Sequence, residues 1–328
     1  MTSYMATMTK PAMPLLRRDS SHRLWIVLSF LSTYLIWGST YLAIRYAIET
    51  IPPLVTVAIR HSLAGGVLFI WAWKRGFRPT TRNWVAGAIV GALFFFIGHG
   101  SLHWAEQYVT SGLAALLIAT EPMFILLLGS LTGKEKINWM NSLGLVVGLA
   151  GVAILSAEGL SLHASNWIGM GAVLLGSLAW SAGVIVSPKL PMPQDSIGRA
   201  AVPLLCGAVM LHVAALLTGE YHQVKWHAVS MKSWLGLGYL VVFGSIVTFT
   251  AYSWLLEHCS PTLVATHTYA NPVVAVLLGW WLAGEPVSMR LALSTSAILA
   301  AILLIQRGER VNPEVRPCSE PVRDSSAA

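Results

Sequence analysis

Residues 108–135 read YVTSGLAALLIATEPMFILLLGSLTGKE, and residues 258–285 read HCSPTLVATHTYANPVVAVLLGWWLAGE. The second stretch repeats the plan of the first at an offset of 150 residues. Ala115 meets Ala265, Pro122 meets Pro272, Gly129 meets Gly279 and Glu135 meets Glu285; just upstream, Trp104 meets Trp254. Each copy is a short polar loop, a long apolar run with a proline in its middle, a small residue and a Glu. The residue before the proline is polar in both, Glu121 in one and Asn271 in the other. An apolar helix interrupted by proline beside a polar side chain is how many transporters build a binding site at membrane depth.

Composition sets the class. Of 328 residues, 55% are hydrophobic and only 11% charged, against roughly 25% charged in soluble domains. Too little polar surface is left to coat a soluble globule. Residues 24–44 and 167–188 each carry no charge, and about 20 apolar residues cross the hydrocarbon as a helix. The sequence predicts an all-α membrane protein with ten transmembrane helices. They lie at roughly 24–44, 54–73, 84–105, 110–132, 139–157, 167–188, 200–218, 233–256, 261–284 and 288–306. A polar, basic segment, 1–23, precedes them, and 307–328 reads as a disordered tail. Segment 1–23 does not resemble a cleaved signal, because the apolar run after it is long enough to stay as a span.

Charge places the ends. The net charge of +7 does not indicate a nucleic-acid partner, because the basic residues sit in loops and tails beside the spans. Sixteen of the 21 Lys and Arg fall on the N-terminal side of the predicted membrane and four on the other, with Arg60 inside a span. Both termini are therefore expected in the cytoplasm and the chain in the cell's inner (plasma) membrane. Five spans per half, an odd number, give the halves 24–157 and 167–306 opposite orientation. They become two inverted five-helix repeats, whose shared site belongs near the midplane. Spans 1 and 6 match at an offset of 143, Trp37-Gly38-Ser39 against Trp180-Ser181-Ala182. The seven missing residues fall in the longer loop at 219–232.

Several stretches resemble the EamA-type branch of the drug/metabolite transporter superfamily. They are Ile36-Trp37-Gly38-Ser39-Thr40-Tyr41 with Ile44-Arg45, Pro52-Pro53-Leu54 leading to Arg60, Ser111-Gly112-Leu113-Ala114-Ala115, and Tyr269-Ala270-Asn271-Pro272 running to Gly279 and closing on Gly284-Glu285. The resemblance spans about residues 24–306. It implies ten spans in two halves and export of metabolites, amino acids or drugs. It names no cargo. Glu121 and the pair His99/His103 depart from the family pattern, so their roles are argued from chemistry alone.

Glu121 is the candidate for proton coupling. A bare carboxylate in mid-membrane is costly, and a group there that gains and loses a proton favours different conformations in its two states. Joining helices as a neutral hydrogen-bonding group is its other reading. Asn271, at the matching place, donates and accepts at once, and suits either a polar group of the cargo or a carbonyl freed by Pro272. Trp37, Trp180, Tyr269, Tyr252 and His267 are candidate cavity residues, with helix packing as the plainer reading. Pro122 and Pro272 are candidate hinges. Arg60 is expected to pair with Glu49 or Glu106 or to snorkel outward, and holding a carboxylate of the cargo is its other reading. His99 and His103 share a helix face. Gly100 follows His99, so the metalloprotease pattern is absent; with Glu106 they form a relay or a packing pair. Gly87/Gly91 and Gly144/Gly148 are close-approach motifs. Glu135 and Glu285 beside helix starts suit the helix dipole. The cysteines Cys206, Cys259 and Cys318 suggest neither a metal site nor a disulfide framework.

These readings converge on a secondary active exporter of a small molecule, working by alternating access. Partners are the cargo, the bilayer and, at most, a second copy of the chain as a homodimer. No cofactor is expected. No nucleotide-binding loop is present, so ATP hydrolysis is not expected. The rivals are an enzyme at the lipid interface, built on His99, His103 and Glu106, and a facilitative uptake carrier.

Overall fold

Apolar, leucine- and alanine-rich sequence leaves the backbone one way to satisfy its own N–H and C=O groups, the helix. The computed structural model describes residues 19–109, 111–132, 138–156, 164–283, 289–311 and 318, and these are helical nearly throughout. The first half runs α1 (Asp19–Leu31), a π-helical turn Ser32–Ile36, α2 (Trp37–Ile48), α3 (Pro53–Lys74), α4 (Thr81–Gly91), a π-helical stretch Ala92–His99, α5 (Gly100–Ala105), α6 (Ser111–Ile118), α7 (Glu121–Leu131) and α8 (Trp139–Ser156). The second runs α9 (Ala164–Val186), α10 (Ser196–Leu217), the short α11 (Glu220–Gln223), α12 (Met231–Tyr239), a π-helical stretch Leu240–Val247, α13 (Thr248–His258), α14 (Pro261–Val264), α15 (His267–Ala283) and α16 (Met289–Val311).

Six helical runs are long and apolar enough to cross a membrane: His22–Ile48, Pro53–Lys74, Thr81–Ala105, Trp167–Lys189, Ser196–Leu217 and Met231–His258. Glu121–Leu131, Trp139–Gly151 and Ala292–Ile305 are shorter apolar helices. The expected spans 4 and 9 are therefore not single rods. The loop glutamates Glu135 and Glu285 lie outside the described residues, as do 312–317 and 319–328 of the tail; the tail's first residues, 307–311, correct the expectation of disorder by continuing α16.

Local chemistry starts the helices. Thr80 and Asn83 form a capping box on α4. Asp195, Ser230 and Ser260 cap α10, α12 and α14 through side-chain oxygens. At α3 the cap comes from the other half: Glu220 Oε2 accepts the N–H groups of Leu54 at 2.8 Å and Val55 at 3.2 Å. Burial pushes the Glu220 carboxyl up, and those two amide bonds pull it back.

Repeat-related helices lie against each other. Helix α3 packs along α10, and α8 along α16. Going down α3, Leu54 meets Glu220, Ser62 meets His212, and Gly65 meets Leu204 and Leu205, so α3 and α10 run antiparallel. Asn138 meets Gly308, Gly144 meets Ile305 and Gly151 meets Ala297, so α8 and α16 do too. The crossed contacts correspond as well. Helix α9 packs on the Ala92–His99 stretch and on α7, while α2 packs on α12 and α15.

The predicted glycine pairs make these approaches possible. Gly87 and Gly91 face Val202, Pro203 and Gly207 of α10, and Gly144 and Gly148 face Ala301 and Ile305 of α16 or the Tyr269 ring. Outside, Leu63, Val67, Ile70, Val146, Val209, Leu299 and Leu303 stay exposed. The helices are apolar on both faces, as a lipid-embedded bundle requires.

The cysteines correct the sequence reading, since Cys259 and Cys318 form a disulfide across 59 residues, leaving Cys206 free. Only the return of the tail onto the start of α14 makes that pair, and no local spacing announces it.

Candidate functional site

Between the halves lies a cavity of about 60 Å³. Trp37, Thr40, Tyr41, Arg60 and Glu121 line it from the first half, and Ser177, Trp180, His267 and Asn271 from the second. It has room for about four waters. Its walls are mostly aromatic. Trp37 and Trp180 meet edge to face at 5.9 Å between centroids, Trp37 lies 4.8 Å from His267, and the Tyr252 ring backs both tryptophans. Trp180 donates to the Tyr252 hydroxyl at 2.9 Å, and Trp37 donates to the Gly244 carbonyl at 2.9 Å. Each indole N–H is thus satisfied inside an apolar wall.

Glu121 enters through a helix break. Helix α6 ends at Ile118 and α7 begins at Glu121, with Pro122 in its first turn. Proline and an acid belong at that position, since proline lacks the N–H that would go unpaired and the dipole favours negative charge. Glu121 is 3% exposed, and its Oε1 has no hydrogen-bond partner. Buried carboxyl oxygens left in that state are costly unless a proton or a cation arrives.

In the second copy the break and the proline part company. Helix α14 ends at Val264 and α15 begins at His267, while Pro272 sits inside α15. With its amide nitrogen turned toward acceptors, Asn271 donates to the carbonyls of His267 at 2.9 Å and of Thr33 and Tyr34 at 3.2 Å. The last two belong to the π-helical turn of the first helical run. Asn271 therefore serves the backbone and also lines the cavity.

Tyr269 stands elsewhere. It is fully buried in a separate cluster with Ala119, Leu126, Leu145 and Ile298, against Gly148, and does not reach the cavity.

Arg60 corrects its expectation. Glu49 is taken by Lys232 at 2.6 Å, and Arg60 meets neither Glu49 nor Glu106. It bonds instead to Ser245 Oγ at 2.8 Å and the Gly244 carbonyl at 3.3 Å, at 2% exposure. Gly244 leaves the room: a Cβ there would stand 3.1 Å from Arg60 Nη2. The histidines form a chain that the sequence reading missed in part. His61 Nε2 lies 3.1 Å from His99 Nδ1, and His103 Nδ1 lies 2.8 Å from the His99 carbonyl. Glu106 does not join them, and both its oxygens are buried without hydrogen-bond partners. His61 carried the same signal as His267, an imidazole inside an apolar run. Among the described residues no group of acids, histidines and cysteines could hold a metal.

A second cavity, about 420 Å³, opens between Ser187, Pro188, Met192 and the ion pair Arg199–Glu257 (2.8 Å). Phe94 and Phe249 line its inner end, and Phe94 stacks on Trp180 at 4.4 Å. An aromatic partition separates the two spaces.

The model of the EamA-like transporter family matches residues 24–157 and again 167–307. The chain belongs to the EamA-like transporter family. Among curated relatives, the uncharacterized inner membrane transporter YedA of Escherichia coli (strain K12) is 35% identical over 299 residues, covering 90% of this chain and 94% of its own. The uncharacterized transporter YoaV of Bacillus subtilis (strain 168) is 27% identical, covering 85% and 96%. One crystal structure superposes with a TM-score of 0.70 at 21% identity, over 87% of this chain and 98% of its own, and shows the same fold. As an EamA-like protein the chain is a multi-pass membrane transporter.

Proposed function

We propose that this protein is a secondary active transporter that exports a small organic metabolite, amino acid or drug across the inner membrane by alternating access, with Glu121 carrying the coupling proton. One observation supports the reading above the others. A small, mostly aromatic cavity with a few polar groups is walled by residues of both halves, and a larger one lies beyond an aromatic partition. A site walled by two mobile halves opens to one side or the other as they rock. The antiparallel run of α3 against α10, and of α8 against α16, favours ten spans in two inverted repeats. In this reading the broken pairs α6/α7 and α14/α15 are spans 4 and 9, both termini are cytoplasmic, and Pro122 and Pro272 are hinges. The cavity is too small for such cargo, so the structure corresponds to a closed state. The 420 Å³ space is then the cytoplasmic vestibule.

Counterflow into proteoliposomes preloaded with members of a metabolite library tests this. At least one compound should exchange with saturation, whereas exchange equal to that of empty vesicles for all of them would reject the reading. A single cysteine placed within residues 74–82 should react with an impermeant maleimide only from the cytoplasmic face. Labelling from outside would reverse the orientation.

A further inference from the structure

Arg60 is among the largest fully buried side chains of the described residues, and it lies about 10 Å along α3 from the first residue of that helix, Pro53. No carboxylate among the described residues pairs with it. Its guanidinium presents five N–H donors, and the two named acceptors, Ser245 Oγ and the Gly244 carbonyl, are neutral. A glutamine would serve those two bonds without bringing a charge into the bundle. An ion held there uncompensated costs several kcal/mol. Gly244 leaves room for the guanidinium, since a Cβ there would stand 3.1 Å from Arg60 Nη2.

We infer that Arg60 is the receptor for a carboxylate group of the cargo, and that the site, once the halves part from this closed state, takes organic monocarboxylates with an aromatic or apolar body. The inference rests on the transporter reading for the site's purpose, and adds the chemical class of what it holds. The guanidinium borders the cavity beside Trp37 and Trp180. Its planar fork matches a carboxylate through two parallel charge-assisted bonds, a geometry that lysine does not reproduce. The tryptophan walls accept the apolar remainder. The cargo's charge completes the pair that the protein leaves open, and Arg60 in turn holds the cargo in one orientation.

Equilibrium binding to the purified protein tests this without requiring transport. The probes are radiolabelled phenylacetate, 3-phenylpropionate and octanoate, each paired with its own amide. Each acid should bind about tenfold or more tightly than its amide. In Arg60→Gln that preference should fall to near unity, with amide affinity kept within about threefold. Arg60→Lys should lie between. The inference is overturned if acid and amide bind the wild type alike, or if Arg60→Gln keeps the preference. If Arg60→Gln does not fold, the wild-type ratio and Arg60→Lys decide by the same criteria. Amides that bind and exchange in counterflow while acids do neither would overturn this inference and leave the transporter reading standing. Acids that bind selectively to a protein that exchanges nothing would support it and reject that reading.

Discussion

Glu121→Gln is expected to reduce pH-driven transport to the level of empty vesicles while leaving counterflow of the same cargo intact. The substitution keeps shape and removes the proton site. Glu121 begins α7 at the break in its apolar run, lines the cavity, and holds an oxygen that no donor reaches. An amide there cannot gain or lose charge, so the two conformations no longer differ in their affinity for a proton. The variant should fold about as well as the wild type, because Gln keeps the volume and removes the cost of a buried ionisable group. Paired measurements in proteoliposomes, with and without a pH gradient, decide the matter. A gradient that still drives flux in the variant would end the proton role, and loss of counterflow as well would move Glu121 into cargo binding.

Gly91→Ala should destabilise the bundle by about 3 kcal/mol or more. A Cβ on Gly91 would stand 2.5 Å from the Pro203 carbonyl oxygen and 2.8 Å from the Gly207 nitrogen. Both are backbone atoms of α10, so no rotamer change relieves the overlap, and α4 must move away along its length. The relation is mutual, since a Cβ on Gly207 would stand 2.9 Å from the Gly91 carbonyl oxygen. Gly66→Ala is the control. It is also helical and has nothing within 4 Å of an added Cβ, so it should be neutral or gain up to about 1 kcal/mol. Thermal unfolding of both variants in detergent checks the contrast. Equal midpoints would show that the α4–α10 contact is looser than these distances.

The residues that announced the fold did so through properties that survive without knowledge of neighbours. Length and apolarity fix a span, and the 150-residue echo of Pro122 in Pro272 reveals duplication. Gly87 and Gly91 need only a partner of some kind. What the sequence withheld depends on who faces whom. In a lipid-embedded bundle the inward and outward faces are both apolar, so no period says that Trp37 and Trp180 turn to the cavity while Tyr269 turns to Gly148. Arg60 was legible as a buried cation, but its partners are supplied by Gly244 and Ser245, 184 and 185 residues away. The break before Glu121 agrees with its proline. The break before His267 does not coincide with Pro272, because a proline inside a long helix can be accommodated by its packing neighbours.

The widened turns at Ala92–His99 and Leu240–Val247 occupy matching places in the two halves. Each packs a surplus residue into its coil, a defect found mostly at functional sites. Phe94, which stacks on Trp180, sits on the first, and Gly244, whose carbonyl accepts from Arg60, sits on the second. The partition and the cation's seat are thus built on the same irregularity, once in each half, so that the duplication carried a local backbone defect along with the helices.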